Sequence, residues 1–281
     1  MTEIEQIELP DIGAIRVQRR VCPQCGTDNA ARPARHEREP WEVKDCSDCG
    51  FVYLERAPVY DELFETLAWG ENWKREEKRR KAARPLSFRA SKLTRFRLHM
   101  FPRKQVDDLV LRFAPPGNVV DIGCAGGKRL AGLPENYVPF GVEIESSAAK
   151  EAEERFSARG GHAVNASSLD GLKSFDADFF TAATLRSYLE HESQPREVMG
   201  EIARTLAPGG IAVIKVPNYS AVMRHVMGLE WSGFRFPDHV NYFTPESLRR
   251  MIESVGLSVR RFNFMDRLPT SDNMWMIAAK D

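Results

Sequence analysis

The chain has 281 residues, 42% hydrophobic and 28% charged, enough for one large domain and a small one. Its 40 basic and 40 acidic side chains cancel, so no global field draws it to nucleic acid or an anionic membrane. No apolar run reaches the ~18–20 residues of a membrane helix, and the acidic opening MTEIEQIELPDIG lacks an apolar signal core. Membrane insertion and export are therefore not expected, and a cytoplasmic location is.

Residues 1–20 alternate apolar positions (Ile4, Ile7, Leu9, Ile12, Ile15, Val17), the pattern of extended chain. Residues 21–55 carry Cys22-Pro-Gln-Cys25-Gly26 and Cys46-Ser-Asp-Cys49-Gly50, two C-x-x-C-G turns 20 residues apart. Each turn aims two thiolates at one point, and a tetrahedral zinc takes four such ligands at about 2.3 Å. The glycine after each pair lets backbone N–H groups approach sulfur. Two such turns predict a zinc ribbon with Phe51-Val52-Tyr53 in one strand, so that residues 1–55 are an extended lead-in and a zinc ribbon. Four thiolates close the shell, so the Zn2+ role is structural; a ribbon that holds iron, or no metal, is the alternative. The fifth cysteine, Cys124, stands alone. An odd count in this spacing fits metal binding in a reducing compartment, not a disulfide framework.

Residues 56–105 read as a basic helical connector with Trp69 and Trp73, broken at Pro85 and Pro102. Between Lys74 and Lys104 lie 13 basic residues against two acids, Glu76 and Glu77. One reading is a solvated helical face; the other is a positive rim that attracts an anionic substrate.

From residue 106 onward strands alternate with helices. Asn118–Ile122, Pro139–Ile144, His162–Asn165, Phe179–Leu185 and Ile211–Val216 read as strands. Ser146–Arg159 and Pro195–Leu206 read as helices, the second apolar along Val198, Ile202 and Leu206. Thr244 and Pro245 start a last helix that stops before Gly256, and Leu257–Phe264 and Met274–Ala279 close the chain as strands. This order predicts an α/β, doubly wound, mostly parallel sheet with helices on both faces.

The sharpest motif is Asp121-Ile-Gly123-Cys124-Ala125-Gly126-Gly127. An apolar strand ends on an acid, then a small-residue turn opens a helix at Arg129, Leu130 and Leu133. Glycines there let the backbone turn sharply and approach a ligand. A dinucleotide fingerprint fits poorly, because Ala125 and Lys128 fall where its second and third glycines belong. Twenty-two residues on, Glu143 ends the second strand in Gly-Val-Glu. With Tyr188-Leu-Glu-His191, Leu206-Ala-Pro-Gly-Gly210 and Asp238-His239-Val-Asn-Tyr-Phe-Thr-Pro-Glu246, residues 117–281 resemble class I S-adenosylmethionine (SAM)-dependent methyltransferases of the subgroup acting on small molecules. Asp121, Gly123 and Gly127 match that family's first motif, and Ala125 replaces its middle glycine. The resemblance implies a Rossmann-like methyltransferase sheet over 106–281 with its last strand antiparallel. It implies SAM as cofactor, bound by Asp121, Gly123, Cys124, Ala125, Gly127 and Glu143. Glu143 would accept both ribose hydroxyls, since a carboxylate suits a vicinal diol. The Cys124 side chain reads as packing. The family's acid after the third strand is missing from Asn165-Ala-Ser167-Ser-Leu, which leaves the adenine contact to backbone, Asn165 or Ser167.

Methyl transfer from SAM is catalysis by positioning, and a hydroxyl acceptor also needs a base, a role that suits His. His191, after the fourth strand, and His239, before the last helix, are the catalytic candidates; Tyr188, Glu190 and Tyr242 are weaker ones. Each histidine also has a structural reading, His191 beside the cofactor or next helix and His239 as a loop tie. The insert Asn218–Val240, rich in aromatic and Met side chains, is either a satellite core or a cover over an acceptor pocket. The expected partner is a small-molecule acceptor such as a sugar, lipid precursor or secondary metabolite, methylated on a hydroxyl. The ribbon and basic segment keep an RNA methyltransferase as an alternative. The Asn/Asp-Pro-Pro-aromatic motif of base methylation is absent from Thr184–Tyr188, so nucleic acid is not the expected partner. The layout also resembles sugar C-methyltransferases, whose extra C-terminal domain this chain looks too short to carry, and a non-catalytic SAM-binding module is the remaining alternative.

Overall fold

The computed structural model describes residues 4–9, 13–59, 77–79, 81–83, 106–268 and 271–281. Trp69, Trp73, Pro85, Pro102 and most of the basic run Lys74–Lys104 lie outside the described residues. The chain divides into two compact units: Met1–Arg103 with Asn218–Thr244 and Pro269–Asp272, and Lys104–Pro217 with Pro245–Leu268 and Asn273–Asp281.

In the first unit the apolar alternation becomes an antiparallel ladder, β1 (Ile4–Leu9) on β2 (Gly13–Arg19), with Ile7 opposite Ile15. Gly13 enters β2 at φ 85°, a backbone setting that favours glycine. The strand β6 (Arg56–Pro58) pairs with β2 on its other side. A second antiparallel sheet runs β12 (Asn241–Tyr242), β5 (Val52–Leu54), β4 (Trp41–Asp45), β3 (His36–Arg38). The insert supplies much of this unit's apolar core. Trp231, Phe234, Phe236 and Val240 pack in one cluster with Val17, Trp41, Val43 and Leu54. Trp231 and Phe234 meet edge to face, centroids 5.6 Å apart, a favoured aromatic arrangement. The Trp231 indole and the Ser232 hydroxyl both donate to Asp272, at 2.9 and 3.1 Å. The hydrophobic insert thus completes a core that the short N-terminal strands are too few to fill alone.

The second unit is a seven-stranded sheet in the order β13-β14-β11-β10-β7-β8-β9. Its strands are β7 (Gly117–Ile122), β8 (Tyr137–Glu143), β9 (His162–Asn165), β10 (Phe180–Arg186), β11 (Leu206–Pro217), β13 (Ser258–Arg261) and β14 (Asn273–Ala279). Strands β9, β8, β7, β10 and β11 are parallel, and β14 runs antiparallel to both β11 and β13. The helices are α1 (Val106–Phe113), α2 (Lys128–Ala131), α3 (Ser146–Ser157), α4 (Ser168–Lys173), α5 (Pro195–Thr205) and α6 (Pro245–Ser254). The last four residues of β7 are all buried, as a central parallel strand covered on two faces requires. The Glu145 side chain caps α3 by accepting from Ser147 and Ala148 N–H, and Pro195 opens α5, where its missing N–H is harmless. Among the described residues no helix is long and apolar enough to cross a membrane.

Four elements depart from the sequence expectation. The strand expected over Leu257–Phe264 ends at Arg261, because Asn263 and Asp266 form a reciprocal capping box that starts a 3-10 turn. The strand read as Ile211–Val216 begins earlier, at Leu206, so that Pro208-Gly209-Gly210 belong to β11, with Gly209 at φ 76°. The short helices α1 and α4 were not foreseen.

Candidate functional site

The chain leaves β7 toward β8 and β9 on one side, then returns to β10 on the other side of β7. This reversal opens a crevice at the carboxyl ends of β7 and β10, where open α/β sheets bind ligands. The glycine turn follows β7 directly. Gly123 and Gly127 both sit at φ 70°, and Ala125 at φ 47°, so the turn uses left-handed backbone at three places. A side chain at Gly127 would strike the Phe156 ring at 2.8 Å, so this glycine serves the packing of α3 against the turn. Cys124 is buried, and its sulfur fills the space where a side chain on Gly141 would stand. Burial pushes the thiol well above its ordinary range, which suits packing and not nucleophilic chemistry.

Glu143, at the end of β8, organises the turn. One carboxylate oxygen accepts the Ala125 N–H at 2.8 Å, and the other accepts the Glu145 N–H at 3.0 Å. A carboxylate offers about four acceptor positions, so each oxygen retains one for a ligand hydroxyl. That set of acceptors fits the vicinal diol of an adenosyl ribose. Asp121 is buried beside Thr184, whose hydroxyl donates to it from the neighbouring strand. Burial, only partly offset by that bond and by Arg129, pushes its carboxyl up to about 6. Asn165 donates to the Glu143 and Ile144 carbonyls and accepts from Ser146, while Ser167 caps α4. Both residues considered for adenine therefore make local structural bonds.

After β10 the chain turns through Ser187, another non-glycine residue in left-handed backbone, at φ 54°. Its N–H donates to the Lys215 carbonyl at 2.8 Å, and its hydroxyl accepts from Lys215 Nζ at 3.2 Å. Tyr188 then lies against Gly123: its Cδ2 is 3.1 Å from where a side chain on that glycine would begin. The Tyr188 hydroxyl donates to Glu192, which also accepts the Gln194 N–H at 2.8 Å. The sequence marks Tyr188 as the start of the Tyr188-Leu-Glu-His191 motif and as a weaker catalytic candidate, but not its contact with Gly123. His191 is buried in the same segment, its N–H donating to the Tyr188 carbonyl at 2.9 Å.

His239 belongs to the first unit. It is buried, its Nδ1 lies 2.8 Å from the Gly233 carbonyl, and its own carbonyl accepts from Tyr242. In that unit the sulfurs of Cys22, Cys25, Cys46 and Cys49 all lie within 4.8 Å of one another. The pairs Cys22–Cys49 and Cys25–Cys46 are each 3.5 Å apart, near the ~3.8 Å edge of a four-sulfur zinc tetrahedron. Both C-x-x-C turns close alike, with Gly26 N–H on the Cys22 carbonyl and Gly50 N–H on the Cys46 carbonyl, at φ 80° and 68°. Burial raises the Cys22 thiol, and also works against ionisation of Cys46. At Cys46, donors from Cys49, Asp48 and Asn29 outweigh burial and bring it down to about 6. The donor set and spacing fit a single thiophilic metal ion such as Zn2+.

The sheet order, the glycine turn and the acid on the neighbouring strand define a class I methyltransferase fold. Residues 96–261, more than half the chain, match the methyltransferase-domain family, and the chain belongs to that family. It is a SAM-dependent methyltransferase. It is 26% identical over 170 residues to the ubiquinone biosynthesis O-methyltransferase of Aeromonas salmonicida, covering 55% of this chain and 68% of that one. A provisionally named methyltransferase of Bacillus halodurans superposes with a TM-score of 0.50 at 15% identity, over 62% of this chain and 98% of that one. A SAM-dependent methyltransferase of Archaeoglobus fulgidus gives 0.47 at 18% identity, over 62% and 93%.

Proposed function

We propose that the enzyme methylates a hydroxyl of a small molecule. The observation that carries this reading is the similarity to an O-methyltransferase acting in ubiquinone biosynthesis. It is supported by the absence of a base-methylation motif at Thr184–Tyr188. Bound SAM supplies a methyl group already activated by its positive sulfur. Glu143 would hold the ribose hydroxyls on the acceptor positions its bonds to Ala125 and Glu145 leave, and Asp121 with the turn Gly123–Gly127 would hold the rest of the adenosyl group. Cys124 and Ala125 contribute backbone to that turn. His191 is the group assigned to receive the proton of the acceptor hydroxyl, because it follows the strand at the ligand edge of the sheet. His239, bonded to its own loop, is assigned to holding that loop. Cys22, Cys25, Cys46 and Cys49 would hold Zn2+ in a structural role, stabilising the N-terminal module. The basic run Lys74–Lys104 favours acceptors that carry negative charge.

The test is to incubate the enzyme with cell extract and methyl-labelled SAM and to identify the product by mass spectrometry. Label on an oxygen of a small molecule is expected. Label in the RNA fraction, or on carbon, overturns the reading.

A further inference from the structure

We infer that the Tyr188 ring is the surface that meets the positive sulfur of SAM, so that this side chain discriminates charged methyl donor from neutral product. The inference rests on the cofactor assignment above. Gly123 and Tyr188 follow the two strands that flank the reversal of strand order, one on each side of the crevice. The ring stands directly over the glycine turn, with Cδ2 and Cε2 at 3.1 and 3.7 Å from where a Gly123 side chain would start. Tyr188 as a residue is half-buried.

The ring is restrained at both ends. Ser187 adopts left-handed backbone that a residue with a side chain rarely takes, and two bonds to Lys215 keep it there. Strain of this kind persists where the surrounding structure enforces it, and it clusters at functional sites. Its consequence here is to aim Tyr188 back at Gly123. At the far end the phenol donates to the buried Glu192, which fixes the ring orientation. Donation to a carboxylate also leaves the ring richer in electrons. An electron-rich aromatic surface attracts a cation through its quadrupole. Methyl transfer removes the charge from sulfur, and with it this attraction, while every contact to ribose and adenine is unchanged.

The experiment is calorimetric titration of the full chain with SAM and, separately, with S-adenosylhomocysteine. Tyr188→Leu should lose roughly threefold to thirtyfold in SAM affinity, while the affinity for S-adenosylhomocysteine changes less than about twofold. Tyr188→Phe, which keeps the ring, should retain most of the preference. If the leucine variant does not fold, Tyr188→Met fills a similar volume and should give the same change in ratio. Equal losses for both ligands, or an unchanged ratio in a folded variant, overturn the inference and leave the cofactor assignment standing. Failure of the unaltered protein to bind either compound overturns both.

Discussion

The Glu143 carboxylate accepts the backbone N–H of Ala125 across a distance of 2.8 Å. This one bond ties the end of the sheet's second strand, β8, to the middle of the glycine turn, so the acid shapes the turn. It also explains why the turn tolerates alanine where the family has glycine: the bond holds Ala125 at φ 47°.

That tolerance has a cost. Left-handed backbone is unfavourable for any residue with a Cβ. Ala125→Gly keeps the N–H and its bond while removing the strain. Against it stands the greater freedom glycine has in the unfolded chain. The variant should be as stable as the parent or up to ~1 kcal/mol more stable, read from the midpoint of urea denaturation. A clear loss of stability would mean that the alanine methyl packs usefully.

Asp121 makes stability depend on pH in a direction opposite to most carboxylates. Its folded value of about 6 exceeds the ordinary 3.8, so the folded chain holds this proton more tightly than the unfolded chain. Stability is therefore lost as pH rises from about 4 through 6, and the whole cost is present above that window. Two pH units correspond to at most ~3 kcal/mol. Asp121→Asn should be more stable than the parent at pH 8, with the gap closing toward pH 4. A gap that is constant across pH would show that Asp121 does not titrate in this window.

The four sulfurs act as a unit, so removing one should disable the set. Cys22→Ser should lower bound zinc well below one ion per chain by elemental analysis, and should reduce the thermal stability of the N-terminal unit. A chelator should mimic the substitution in the parent and have little further effect on the variant. A full zinc complement in Cys22→Ser would refute the four-thiolate site.

Much of this was readable from residues alone. The strand His162–Asn165 was expected with the bounds it has, because Gly160-Gly161 and Asn165 punctuate it. The sheet was legible because each buried parallel strand is a short apolar run between turn signals. What the sequence hid were relationships between distant segments. The insert's aromatics announced burial but not against what; Trp231 and Phe234 pack with Trp41 and Val43, far away in sequence. Glu143 was legible as an acid at a strand end, but its bond to Ala125 depends on how two strands lie side by side. Ser187 offered no signal at all. Its left-handed backbone is imposed by Lys215 on the next strand, a tertiary constraint that local propensity cannot encode.

The most direct measurement is calorimetric titration of SAM into the unaltered chain and into Glu143→Ala. The parent should bind one equivalent. The variant should bind at least tenfold more weakly, since it loses the ribose acceptor and the anchor of the glycine turn together, while its zinc content stays that of the parent. Equal SAM affinity in a folded Glu143→Ala variant would contradict the placement of the cofactor at this turn.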